Sequence, residues 1–347
     1  MSLLTSLISH QIWLQRAASG EVKDLTPFIQ EMRDEIKRQV LLFGDDGRST
    51  ARLNKLLRDL EEALAGLTGD WQTKLTEDLK ELVAYEAEWN VKTLTANVNA
   101  EFVTPTAEQV WAAAEFQPLS LSDKPVDFTK LMSGWGETEV ARLVTGVKMG
   151  FVQGQTTRQI VKNVVGAGGL ADISERNAAT VIRTALSHVS NEARNETYRQ
   201  NDDIIEKYEW VSTLDSRTST ICRARDGMTW EIGKGPMPPA HPNCRSCTAP
   251  VISSEFDFLD KGAKRAAKGA DGGTQVSADT TYYEFLKQQP AWFQDQALGP
   301  VRGKIFRNSG ISPEEFRVIS VDGFGNPLTL KQMAELDKRV ADYLKGD

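Results

Sequence analysis

Apolar residues in the first hundred positions recur at the three- and four-residue intervals of a helix. Phe28, Met32, Ile36, Val40 and Phe43 make one stripe, with Thr26 placed as its N-cap and Pro27 as its first helical residue. Leu53, Leu56, Leu57, Leu60, Leu64 and Leu67 make a second stripe, and Leu75, Leu79, Leu82 and Trp89 mark a third helix. The opening MSLLTSLISHQIWLQRAASG reads as a helix and not as a signal peptide, because no positive region precedes it and His10, Gln11 and Gln15 interrupt its apolar run. Residues 1–100 are therefore expected to form helical hairpins or a small bundle. The leucine stripes are expected as core, although such a stripe could also serve a partner.

Pro105 breaks this pattern, and Thr106 with Gln109 reads as a capping box opening a short helix. Three longer helices are expected in 105–205: one through Val140, Leu143, Val144, Val147 and Phe151, one after GQTTRQIVKNVVG, and one from Asp172 to about Gln200. The last places Ile182, Leu186, Val189 and Ala193 on one face, and Arg183, Asn191 and Arg194 elsewhere on the cylinder.

At residue 206 the period changes to two. YEWVST alternates like a strand, and CTAPVIS is rich in strand formers between turn residues, so 206–255 is expected to be a small α+β unit. The stretch 256–280 is rich in glycine and alanine and carries Lys261, Lys264, Arg265 and Lys268. It reads as a linker or a basic arm. The tail 281–347 holds Tyr282, Tyr283, Phe285, Trp292 and Phe293, which can bury large areas, then a DGFGNP turn and a final helix from Thr329 through Leu330, Met333, Leu336, Val340 and Leu344. The predicted fold class is mainly α with a small α+β module, a helical amino-terminal region and a mixed carboxy-terminal tail.

Composition narrows the function. At 347 residues and 40% apolar content the chain can bury ordinary cores. A net charge of -7 disfavours a domain whose main work is neutralising phosphates, leaving room only for a local basic patch. No stretch has the roughly 18 consecutive apolar residues of a membrane span. The three cysteines cannot all pair with one another, which points to synthesis in a reducing cytoplasm.

All three cysteines and one of the three histidines converge on one region. Cys244 and Cys247 have the C-x2-C spacing with which one tight turn aims two thiolates at an ion, His241 lies just before them, and Cys222 would complete a Cys3His set. The glycine- and proline-rich stretch between Cys222 and His241 can bury little apolar surface, so a structural zinc would supply what its core lacks. Two alternatives stand beside zinc. The cysteines could be small buried hydrophobes with His241 capping a loop, or one could be a catalytic thiol, although no orienting third group or oxyanion site is evident. Upstream, Asp215 can close a turn on backbone N–H groups, and Arg217 offers a fork to pin the PPAHPNC loop. SRTST faintly resembles the serine-threonine strand of ADP-ribosyltransferases, without a paired-glutamate motif downstream.

The succession RTALSHVSNEARNETY, YEWVSTLDSRTSTICRARDGMTW and PPAHPNCRSCTAPVI resembles the Mu F-like head morphogenesis family of tailed bacteriophages. The resemblance covers roughly residues 140–255, and the stretch from TYYEFLKQQPAWFQ onward looks like the carboxy-terminal extension of one branch. Asp215, Arg217, Thr218, Cys222, His241, Pro242, Cys244 and Arg245 occupy the signature positions. The chain departs from the tight C-R-C of many members by spelling Cys244-Arg245-Ser246-Cys247. The resemblance implies a non-enzymatic minor capsid protein, made in the host cytoplasm and built in few copies into the virion near the portal. Its implied partners are the portal protein and the major capsid or scaffold protein, with packaged DNA a candidate for Lys261, Lys264, Arg265 and Lys268. The rival readings are a free zinc-dependent DNA-binding packaging factor and an enzyme or toxin-like domain in the histidine-free tail.

Overall fold

Helices α1 (Leu3–Asp24) and α2 (Thr26–Phe43) meet at Leu25, which is buried and serves as the cap of both. Thr26 is therefore the first helical residue and not the N-cap that Pro27 suggested. The structure, a computed structural model, describes residues 2–45, 49–98, 100–121, 124–252 and 262–346.

The second and third predicted helices are one helix, α3 (Thr50–Val98), 49 residues long. Gly66 and Gly69 lie at the expected break, yet a helix-interior glycine costs only about 1 kcal/mol. Burying Leu64 and Leu75 on either side contributes about 1.5–3 kcal/mol each. The segment is also clamped from the side. A Cβ on Gly136 would come within 3.2 Å of Thr68, and the rings of Trp71 and Trp135 pack edge to face with centroids 4.4 Å apart.

Helix α4 (Ala107–Phe116) opens with the Thr106–Gln109 capping box, and a short hairpin of β1 (Leu119–Leu121) and β2 (Lys124–Val126) follows. Then come α5 (Phe128–Val152), α6 (Thr157–Val165) and α7 (Leu170–Arg199). Ile36 and Val40 from α2, Leu60 and Leu64 from α3, Val147 from α5 and Ile182 and Val189 from α7 share one apolar core. The expected division near residue 100 thus does not separate two cores.

Strands β3 (Ile205–Val211), β4 (Thr229–Glu231) and β5 (Cys247–Ile252) form an antiparallel sheet ordered β4-β3-β5, with Tyr208 opposite both Trp230 and Pro250. Helix α8 (Thr220–Arg225) lies in the connection from β3 to β4. The small α+β unit is therefore present.

The expected linker is different. Lys261 and its neighbours 253–260 lie outside the described residues, but β6 (Lys264–Gly269) and β7 (Gly272–Ser277) pair as a regular hairpin whose turn ends on Gly272 at a φ of 105°. Alternation decides this: Arg265 and Ala267 point inward, while Lys264 and Lys268 stay exposed. The hairpin is tied to the rest by Lys268 N–H donating to Leu214 O at 2.8 Å, and by Thr5 Oγ1 of α1 donating to Lys264 O at 2.7 Å.

The tail holds helices α9 (Tyr282–Lys287), α10 (Ala291–Leu298), α11 (Pro300–Asn308), α12 (Pro313–Ile319), α13 (Leu330–Leu336) and α14 (Lys338–Gly346). Tyr282, Tyr283, Phe285, Phe293, Phe306 and Phe316 make its separate core, whereas Trp292 is mostly exposed. The single final helix predicted from Thr329 is two, because Asp337 is extended and its carboxylate caps Arg339 N–H at 2.8 Å.

Candidate metal centre and its polar pins

Cys222 is placed by α8, whose N-cap Ser219 accepts from Cys222 N–H. His241 and Cys244 are placed by a tight turn in which Cys244 N–H donates to His241 O at 3.1 Å. The turn needs Asn243 at a φ of 58°, a left-handed conformation that asparagine tolerates better than most residues. Asn243 N–H donates to Thr184 Oγ1 of α7 at 3.1 Å, and its side-chain amide to Thr180 Oγ1 at 3.2 Å, so the long helix holds the loop in place.

The result is a three-donor cluster. Cys222 Sγ lies 3.3 Å from His241 Nε2 and 3.6 Å from Cys244 Sγ, and all three ligand atoms lie within 4.8 Å of one another. On a regular zinc tetrahedron two sulfurs stand about 3.8 Å apart and a sulfur and a nitrogen about 3.5 Å apart, given Zn–S near 2.3 Å and Zn–N near 2.0 Å. His241 Nδ1 lies 2.9 Å from Pro242 O. A carbonyl only accepts, so Nδ1 carries the proton and Nε2 presents its lone pair to the cluster. Burial pushes the Cys222 thiol up, whereas the hydrogen bond from Cys222 holds the buried Cys244 well below its usual range. Packed behind the sulfurs are Trp210 and Ala240, with the Arg225 guanidinium over the Trp210 ring at 5.1 Å. These residues can hold a soft divalent cation.

Cys247 does not join the group. It is the first residue of β5, and entering the strand carries its thiol to a different apolar cluster, beside Tyr198, Tyr208 and Val211. There burial pushes the thiol up, and the adjacent Arg194 side chain offsets part of that shift. The C-x2-C spacing is correct in count, but only its first cysteine is a candidate ligand.

The other signature residues form a frame. Arg245 grips Asp215 through two bonds of 2.5 and 2.8 Å, and Asp215 also accepts from Arg217 N–H and Thr218 Oγ1. Thr218 Oγ1 donates in addition to Thr213 O. Burial acts to raise the Asp215 carboxyl, but the Arg245 guanidinium outweighs it and holds the group below its usual range. The loop is therefore pinned by the fork of Arg245, not of Arg217, whose side chain is 77% exposed. Pro242 is exposed and contributes its carbonyl.

The more buried pin is not legible in the sequence as a site. Asp226, at the C-cap of α8, binds Arg265 of the hairpin through bonds of 2.9 and 3.1 Å. Arg265 also donates to Ser212 O at 2.6 Å and Thr280 O at 3.1 Å, and Asp226 accepts from Ser212 N–H at 2.6 Å. Both side chains are at most 2% exposed. The only sequence signal was the basic run 261–268, which pointed outward to a ligand. A second buried network, likewise without a sequence signal, lies in the helical body: Glu86 accepts from Ser190 Oγ at 2.7 Å and lies 2.6 Å from His10 Nε2, joining α3, α7 and α1.

Residues 141–249, from within α5 through β3 and the cysteine turn to β5, match the family model described as phage Mu protein F like protein. The chain carries a Mu F-like module. The match spans the Asp215–Arg245 frame and all three metal-donor candidates of the module, and the family points to phage head morphogenesis. No curated protein and no solved structure gave a significant match. Among the described residues, no helix is long and apolar enough to cross a membrane.

Proposed function

We propose that this chain is a minor structural protein of a tailed-phage head, incorporated in few copies near the portal and assisting head assembly. The match of residues 141–249 to the Mu F-like family carries this reading. In it the module is a rigid docking unit, and zinc held by Cys222, His241 and Cys244 supplies a crosslink between α8 and the cysteine turn. Two thiolates and a neutral imidazole are the donors zinc prefers, and the buried sulfurs suit a structural ion. The amino-terminal helices would face the portal, major capsid or scaffold protein.

Among the described residues, contact with packaged DNA would rest on Lys264 and Lys268, since Arg265 is committed inside to Asp226 and Lys261 lies outside them. Two exposed lysines by themselves give weak, salt-sensitive binding. The reading is tested by quantitative mass spectrometry of gradient-purified heads. A few to a few tens of copies per head, relative to the shell and portal proteins, is the expected result. A chain abundant in the soluble fraction and missing from heads and procapsids would overturn it.

A further inference from the structure

Helices α1 and α3 leave an open groove of about 370 Å³ between them. Leu75, Leu79 and Leu82 of α3 floor it, and Leu186 of α7 closes its base. One wall is aromatic. Trp13 and Tyr85 are 41% and 45% exposed, their ring centroids are 5.1 Å apart, and behind them His10 is stacked on Trp89 at 3.6 Å. Because His10 is also fixed by Glu86, the two exposed rings stand on a rigid base.

The rim is acidic. Glu21, Asp78 and Glu81 line the groove, and its lining contains no lysine or arginine. Lys74 at the groove edge reaches Asp78 at 2.5 Å and its charge also acts on Glu21, so the three lining carboxylates outnumber the one lysine beside them. Burial, and then the neighbouring Asp78 carboxylate, push the Glu21 carboxyl above its usual range. An apolar floor, exposed aromatic faces and surplus negative charge together favour a cation on an apolar stem, which can lie over the rings and reach the carboxylates. Nucleic acid is repelled by the same rim.

We propose that this groove is the docking site for an amphipathic helical segment of another head protein, with leucine-type side chains on the floor and an arginine or lysine over Trp13 and Tyr85 between Glu21 and Asp78. This is helix-in-groove recognition with a charged anchor. It rests on the head-assembly reading for the identity of the partner, but the chemistry of the groove is independent of it.

The test has two arms on the full chain. In the first, protein labelled with ¹⁵N at tryptophan indoles is titrated with a leucine/arginine amphipathic helical peptide and with its leucine/glutamate counterpart, the Trp13 signal being assigned with Trp13→Phe. The arginine peptide should shift the Trp13 resonance, the glutamate peptide should not, and Glu21→Gln with Asp78→Asn should weaken the arginine peptide at least tenfold. Equal response to both peptides, or none, overturns the proposal. In the second arm, wild-type and Glu21→Gln/Asp78→Asn chains are counted in purified heads, with thermal unfolding confirming that the variant is folded. Fewer variant copies support the groove. Equal copies overturn its role in docking while leaving the head reading intact, and absence of the wild type from heads defeats that reading while the peptide arm still judges the groove. Concentration-dependent self-association abolished by the same variant would assign the groove to a second copy of this chain, against the proposal.

Discussion

The helical body and the sheet-and-cysteine-turn segment of residues 206–252 are held together by different physics. The body buries Ile36, Val40, Leu60, Leu64, Val147, Ile182 and Val189 in one continuous apolar core. Around the cysteine turn the core shrinks to Trp210, Cys222, Ala240 and Cys244, and the segment relies instead on Asp215–Arg245, Asp226–Arg265 and the three-donor cluster. Apolar packing is tolerant of small shifts, whereas a cluster of charges and thiols is stable only when every partner is in place. The second kind of bonding gives a segment a fixed shape, at the risk of failing as a whole when one member is lost.

The largest effect expected from that difference comes with removal of the zinc that the three-donor cluster is proposed to hold. Structural zinc contributes apparent binding energies of about 10–16 kcal/mol in small domains. Chelation should therefore open residues 206–252 to limited proteolysis while far-UV circular dichroism retains the helical signal. Loss of both together would show that the two regions are one cooperative unit. Next in size, Asp226→Ala leaves Arg265 buried and unpaired and should cost about 3–5 kcal/mol in urea unfolding. Leu60→Ala should cost a comparable amount, about 2–5 kcal/mol, through a cavity in the body, with metal content unchanged.

Two buried groups on α7 sharpen the comparison through pH. Burial pushes Glu192 up to about 7 from 4.5, so the folded chain keeps a proton that the unfolded chain releases, and stability falls as pH rises from about 4.5 to 7. Burial pushes His188 down to about 4 from 6.5, so between those values the unfolded chain takes the proton and stability rises with pH. The two slopes oppose each other over most of the same window. Glu192→Gln should unmask the rise between pH 5 and 6.5 and stabilise the chain by up to about 3 kcal/mol at pH 8, at 1.4 kcal/mol per pKa unit. An unchanged pH profile in that variant would show that Glu192 is ionised at no cost. The smallest effect is expected from Arg217→Ala, within about 0.5 kcal/mol because the side chain is in solvent. Arg245→Ala, which strips the partner from Asp215, should cost about 1.5–3 kcal/mol, and equal effects of the two would mean that the fork was assigned to the wrong arginine.

Periodic patterns were the legible part of the fold. The stripe Phe28 to Phe43, the Thr106–Gln109 box and the strand-like YEWVST each appear where periodicity put them. Continuity was not legible, because Gly66 and Gly69 look like a break until Trp135 and Gly136 arrive from α5 to brace the segment. The hairpin 264–277 was hidden for a related reason: Arg265 looks like a surface charge unless its buried partner Asp226 is known. At the candidate site the converging residue types were visible in the sequence, and Cys222, His241 and Cys244 do meet. Whether Cys247 would join them depended on where β5 begins, which spacing alone does not reveal.

The most direct test of the account is metal content per chain, measured by inductively coupled plasma mass spectrometry on protein purified without chelator. The account predicts about one zinc per chain in the wild type, lost in Cys222→Ser, His241→Ala and Cys244→Ser and retained in Cys247→Ser. A wild-type chain that is folded and metal-free, or a Cys247→Ser variant that alone loses the ion, would contradict it.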